Sequence, residues 1–469
     1  MTRHAVLYLT ASALSLLGNS VVAVALPLLV LMRTGSATSA GTVALATAVP
    51  AILVGVVGGL VIDRVGRRRA SIVSDVVSAV AVAALPVVDL LTGLDLGWFV
   101  ALGVLGAIGD VPGMTAREAL VPAVARSSGV PLERLVGIRE SIEAGVMVVG
   151  PALAGVLLVT LGDTTVLWVT AATSALAALV TAMLPRALDT LPAQPDGADA
   201  HDGSLPTSPA LPRRGGRARA ALRRSSDELR AGLAVVIRDR LLLGGTLLSL
   251  GSLLALAGLQ GIVLPVHFTT TGEPGRLGLV LSAMAAGLLV GATLYSVLGP
   301  RMSPRTVFVS SMLGVGVGVV GMSLLPVTWL LLASAAVAGV SSGLMNPVLQ
   351  VAMMRRTPEA ARGRVLGLQG SAMMAVAPVA VFGAGLLVDA AGLRATGVVV
   401  AVGFVVVVVL GVLSPALRGL GDADGESADD DDDDDGTVRD GVDLAVDVRD
   451  TRLLPTAAPA DGTPRAGGS

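Results

Sequence analysis

Twelve runs of apolar residues, each about as long as a membrane is thick, constrain this chain more than any other feature. A helix needs about 20 apolar residues to cross the hydrocarbon core. The first six runs cover 5–32, 38–62, 70–91, 97–121, 135–160 and 165–184; the second six cover 241–268, 277–298, 306–325, 328–353, 364–388 and 394–416. Only 14% of the 469 residues are charged and 53% are hydrophobic, against about 25% charged in a soluble domain. No single core hides that excess, so the expected fold is all-α and integral to a membrane, with twelve transmembrane helices. Arg3 and His4 precede a first run of 28 residues. That exceeds the roughly 7–15 of a signal-peptide core, and a second span follows directly, so this run reads as the first membrane helix.

Arginine sets the expected orientation. With the N-terminus inside, only Arg33, Arg276 and Arg394 face out. The clusters at 64–69, 126–134, 213–240, 301–305 and 355–364 all face the cytoplasm, as basic loops do in an inner membrane. Both termini are then cytoplasmic. From Arg418 onward there are 5 Arg and 15 acids, so a basic body carries an acidic tail. Cysteine is absent, which removes disulfides and thiolate metal sites from consideration.

The runs fall into two groups, giving four segments: 1–184, a linker at 185–240, 241–417, and a tail at 418–469 expected to be disordered. The linker opens with a Pro-rich stretch read as disordered. It continues into Ser225-Ser-Asp-Glu228, which has capping-box spacing. Leu229, Leu233, Val236 and Ile237 then share one helical face, as in a helix lying on the membrane surface or an ordinary solvated one. The two groups of six repeat each other. A shift of 230 places Arg134-Leu-Val-Gly137 over Arg364-Val-Leu-Gly367, Ala154-Gly155 over Ala384-Gly385, and Gly162 over Gly392. Two same-sense halves related by a pseudo-two-fold along the membrane normal, with a cavity between them, follow from such a repeat.

Between the second and third runs lies Gly59-Leu-Val-Ile-Asp63-Arg64-Val-Gly66-Arg67-Arg68-Arg69. An acid at a helix C-terminus opposes the macrodipole and requires a positive partner. Gly59, Asp63, Arg64, Gly66, Arg67 and Arg68 resemble the helix 2–3 signature of the major facilitator superfamily, G-x-x-x-D-R-x-G-R-[KR]-x. The resemblance covers about 5–417 and implies a gating loop in which Asp63 latches onto the start of helix 11 near Gly363. The second copy, Gly299-Pro-Arg301-Met-Ser-Pro-Arg305, has no acid. The fifth run carries Gly137, Gly150, Pro151 and Gly155, which partly resemble the helix-5 signature of superfamily antiporters; Val146 and Ala154 stand where that pattern has Gly. Arg362-Gly-Arg364-Val-Leu-Gly367 resembles the drug and siderophore exporter branch, which includes macrolide and enterobactin exporters.

Acids inside a span are expensive and usually face a cavity or a partner. Asp110 lies mid-run beside Pro112, with Arg117 two turns on; Glu143 shares a helical stripe with Gly150 and Ala154. These two are the candidates for proton coupling. Glu140 is expected to pair with Arg117 or Arg139, and Asp75 to reach toward the cytoplasm. Gln260, Asn346, Gln350 and Gln369 are polar residues on apolar runs and candidates for lining the cavity. No Arg is expected mid-helix to hold an anion, and aromatics make up 2% of the chain, too few for stacking sugars.

There is no Walker motif and no metal, cofactor or nucleic-acid signature. The expectation is a monomeric, non-enzymatic secondary transporter exporting a small amphiphile against protons. An importer or lipid transporter on the same fold is the alternative. A membrane scaffold or sensor using the linker and tail is the alternative of another class.

Overall fold

The computed structural model describes residues 2–162, 164–189, 233–325, 327–357 and 362–414, without side chains at 56–61, 63–64, 187, 189, 298, 300, 355 and 362–364. All of it belongs to one unit, Met1–Gly421. Twelve helices are long and apolar enough to cross a membrane. They are α1 (Arg3–Thr34), α2 (Ala37–Val65), α3 (Arg67–Leu91), α4 (Leu96–Ser128), α5 (Leu132–Leu161) and α6 (Thr165–Ala182), then α7 (Arg240–Thr270), α8 (Gly275–Leu298), α9 (Pro304–Ser323), α10 (Thr328–Arg356), α11 (Arg362–Ala391) and α12 (Leu393–Leu413). Most run a turn or so beyond the apolar stretch that marks them. Backbone hydrogen bonding does not stop where hydropathy does, and side-chain caps carry it outward. Asp95 accepts from the Trp98 amide at 3.0 Å, and Asp239 from Leu241 and Leu242 at 2.8 and 3.0 Å. α7 is interrupted by a π turn at Leu259–Val263.

The packing plan repeats across the two halves. α1 packs on α5 and α6, α2 on α4, and α3 on α4 and α6. In the same way α7 packs on α11 and α12, α8 on α10, and α9 on α10 and α12. Between the halves the main contacts are α2 with α11 and α5 with α8, again one relation used twice.

These contacts sit at one end. Successive helices alternate direction, so Arg3, Arg67, Arg126, Arg240, Arg301 and Arg356 share one end of the bundle, here the Arg-rich end. The clusters joining both halves use the opposite ends of the helices: Val21 to Leu28 of α1 with Leu259 to Phe268 of α7, and Val82 and Phe99 with Ile262 and Ala384. Toward the Arg-rich end each core stays within one half. Tyr8, Leu120 and Leu135 belong to the first; Leu241, Phe308 and Leu349 belong to the second. The bundle is closed at the far end and splayed at the Arg-rich end.

Of the expected linker helix only 233–238 is described, and it is helical. Val236 packs against Leu242 and Val365, while Leu233 and Ile237 are exposed. Leu229, the Pro-rich part of the linker and the acidic tail lie outside the described residues.

Candidate functional site

The splayed end opens a cavity of about 400 Å³ between α7, α10 and α11. It brings together three of the four expected cavity residues, Asn346, Gln350 and Gln369. The Gln369 amide donates to Thr246 Oγ1 at 2.9 Å, and its nitrogen lies 3.7 Å from the Met353 sulfur. Gln260 is elsewhere: it sits on the π turn, among the residues that close the far end. Thr246 and the methionines 353, 354 and 373 also line the cavity and carried no polar signal on apolar helices. Facing the same opening from the first half is an apolar groove of about 320 Å³ between α1 and α5, lined by Leu9, Thr10, Leu14, Ile142 and Val146.

One charged pair lies off this path, inside the first half. Arg117 of α4 pairs with Asp75 of α3 at 2.7 Å, and the Ser15 hydroxyl of α1 donates to the same carboxylate oxygen at 2.9 Å. The Tyr8 hydroxyl donates to the Arg117 carbonyl at 3.0 Å. Asp75 is 2% exposed and Arg117 7%. Two expectations are corrected here. Asp75 does not reach for the cytoplasm, because α1, α3 and α4 enclose it. A guanidinium does occupy a span, made tolerable by its buried counter-ion. Asp110, two turns before Arg117 on α4, bonds Ser78 of α3 and does not take Arg117 as its ion-pair partner.

Glu140 and Glu143 meet a different environment. Arg139 lies 3.6 Å from each and 3.3 Å from Glu118. The Glu143 side chain is 48% exposed. Its expected stripe divides where the halves part. Gly150 and Ala154 are buried at the closed end, whereas Met147 and Glu143 face the opening.

The signature segment is less a loop than a joint. α2 runs to Val65, Gly66 alone makes the turn, and α3 starts at Arg67. Gly66 takes φ +92°, a conformation costly for any residue with a Cβ. It also donates to the Ile62 carbonyl and accepts from the Ala70 amide, both at 2.9 Å. Arg67 donates to the Ala119 carbonyl of α4 at 3.1 Å, and Arg68 to the Ala182 carbonyl at the end of α6 at 2.6 Å. Gly59, Asp63 and Arg64 lie outside the residues whose side chains are described.

The helix-5 motif is packing against two neighbours. A Cβ on Gly150 would strike the Ser20 side chain of α1, and one on Gly155 the Gly275 carbonyl of α8. Gly278 of α8 faces the Pro151 carbonyl just as closely. Gly137 meets nothing within 4 Å. Gly385, the repeat counterpart of Gly155, rests on the Ala37 backbone of α2.

Twelve spans in two equivalent halves, sealed at one end around a vestibule open at the other, make a multi-pass membrane transporter and not an enzyme. Residues 8–271 and 246–430 match the sequence profile described as Major Facilitator Superfamily, and the chain belongs to that family. The chain is 32% identical over 406 residues to "Multidrug efflux pump Tap" of Mycolicibacterium fortuitum, covering 86% of this chain and 93% of that one. It is 33% identical over 420 residues to the protein of the same name in Mycobacterium tuberculosis (strain ATCC 25618 / H37Rv), covering 89% and 94%. Among solved structures, the nucleoside transporter NupG aligns over 88% of this chain and 98% of its own, with TM-score 0.64 at 13% identity. A bacterial homologue of the iron transporter ferroportin in an inward-facing state aligns over 88% and 99%, with TM-score 0.60 at 14% identity. These two likenesses concern the fold alone.

Proposed function

We propose that this protein is a proton-coupled exporter of small amphiphilic compounds, seated in the inner membrane with its termini and Arg-rich end in the cytoplasm. The observation that carries the reading is the lining of the vestibule. One wall is apolar, the other offers amides, hydroxyls and thioethers with no fixed charge among the described residues, and the buried ion pair stands aside from both. Such walls suit an amphiphile and offer nothing to an inorganic anion. Relatives named as multidrug efflux pumps support the direction of transport. The arginine distribution supports the orientation, which makes the present conformation inward-open.

In this reading Asp110, one turn from the Gly113 that crowds Ser74, exchanges the proton, with the exposed Glu143 beside Arg139 as the second candidate. Asp63 and the N-terminus of α11 engage when the cytoplasmic end closes. Arg67 and Arg68, bonded within the first half, hold the joint. The transporting unit is one chain.

The test is proton flux in proteoliposomes under a pH gradient, with neutral and cationic aromatic amphiphiles. Unmodified protein is compared with Asp110→Asn and Glu143→Gln. Substrate-evoked proton movement lost in one variant supports antiport and identifies the coupling acid. Substrate movement without proton movement, unchanged in both, removes the coupling and leaves a facilitator.

A further inference from the structure

The two halves share a plan but not a chemistry. Asp389, at the sealed end, is the sole acid in α7 to α12; α1 to α5 hold eight, Asp63, Asp75, Asp89, Asp110, Glu118, Glu133, Glu140 and Glu143. The cavity lies wholly in the second half, between α7, α10 and α11, and not on the boundary between halves, with its amides and hydroxyls set in a mostly apolar wall. Thr246 lies six residues inside the start of α7 and Asn346 ten before the end of α10. At about 1.5 Å per residue that is roughly 9–15 Å in from the Arg-rich end, so a solute meets this cavity before the middle of the membrane. Its volume of about 400 Å³ falls within the range of small-molecule pockets, roughly 300–1,000 Å³.

We propose that this cavity is a substrate subsite contained in the second half, selecting neutral aromatic amphiphiles by hydrogen bonds and thioether contacts without an ionic partner. The inference rests on the export reading. Each feature of the ligand follows from a feature of the lining. Asn346, Gln350 and Gln369 each supply both a donor and an acceptor, so they read a carboxamide or hydroxyl of either polarity. Met353, Met354 and Met373 are flexible and polarizable, and sulfur favours aromatic rings at about 5 Å. Among the described residues no ionisable side chain lines the cavity, so a carboxylate brought in loses its hydration without gaining a counter-ion from them. The apolar groove across the opening has one hydroxyl, Thr10, and offers no such reading. Selection then belongs to the second half and charge movement to the first.

The natural absence of cysteine gives a direct test. Ser249→Cys places a thiol in the cavity wall, and Thr10→Cys places one in the groove opposite. Each variant, in everted membrane vesicles, is titrated with a membrane-impermeant maleimide, with and without chloramphenicol, a neutral aromatic amide. Chloramphenicol is expected to slow labelling at Ser249→Cys several-fold, leave Thr10→Cys unchanged, and lose its effect when Gln369→Leu is added. Salicylate, an aromatic anion, is expected to protect neither thiol. Equal protection of both thiols overturns the proposal in favour of a site shared by the halves. No protection at Ser249→Cys overturns the subsite outright. Chloramphenicol export by the unmodified protein is measured in parallel. Protection without export keeps the subsite and refutes the export reading; export without protection does the reverse.

Discussion

The carboxylate of Asp389, near the end of α11, accepts a hydrogen bond from the backbone amide of Thr38 at 2.9 Å, across the boundary between the halves. The Ala37 amide at 3.1 Å and the Ser36 hydroxyl at 2.8 Å bind the same carboxylate. An acid from one half thus caps the first turn of a helix in the other, where the orphan amides and the helix dipole favour negative charge. Removing a cap costs about 0.5–2 kcal/mol, and about 1.4 kcal/mol is tenfold in an equilibrium. Asp389→Ala is therefore expected to shift the balance toward far-end opening by several-fold. Spin labels at Ser39→Cys and Ala390→Cys read the change as a growing long-distance population. An unaltered distance distribution removes the latch.

The second contact between halves, α5 with α8, has no charge and works by closeness. A side chain on Gly278 would collide with the Pro151 carbonyl, and backbone cannot yield as a flexible side chain can. Overpacking costs about 1–3 kcal/mol, here only while the far end is closed. Gly278→Val is expected to give a folded, membrane-inserted protein with export reduced at least tenfold. Gly137→Ala, on the same helix 5 motif but with open space around it, is expected to export normally. Transport at matched expression in vesicles decides it; equal loss in both variants refutes the packing account.

All twelve spans and the pseudo-symmetric halves were legible in the sequence, because hydropathy reports the solvent and the internal repeat reports the plan; the 59–69 segment read as a loop, whereas Gly66 alone makes the turn. What lies between helices was not legible. Asp75 read as an interfacial acid because nothing in its own helix reveals that Arg117 and Ser15 converge on it from two others. Asp389 sits where charged residues are ordinary, at a helix end, and its partner is a backbone without sequence identity. Glu143 shares the stripe of Gly150, but the halves part between them, so one periodic face is half buried and half open. Pairings like these depend on how each helix rotates about its own axis, which hydropathy leaves open.

Arg68 is part of the signature and is buried, yet its described bond runs to the Ala182 carbonyl at the last turn of α6. A cation there meets the negative end of the helix dipole, worth about 0.3–2 kcal/mol depending on burial. Arg68→Met is expected to lower the thermal midpoint in detergent, while Arg69→Met, at an exposed position of the same cluster, leaves it unchanged. Equal shifts would mean the cluster serves topology alone.

The Asp75–Arg117 pair separates structure from mechanism. Breaking one side of a buried pair leaves an uncompensated charge and costs about 3–5 kcal/mol, whereas replacing both partners with neutral groups is often close to neutral. Asp75→Asn and Arg117→Met are each expected to fall sharply in thermal midpoint and yield. The double variant is expected to recover most of both, giving a coupling of several kcal/mol. If the pair only braces α3 against α4, the recovered double variant exports normally. If it sets the field in which Asp110 gives up its proton, the double variant is stable but its proton movement no longer follows substrate. Thermal midpoints and substrate-evoked proton flux, measured on the same four preparations, distinguish the two. The Ser15 bond favours the second outcome: it ties the carboxylate to α1, whose neighbouring residues line the groove at the opening, so the pair is coupled to a wall of the vestibule as well as to its own helix bundle.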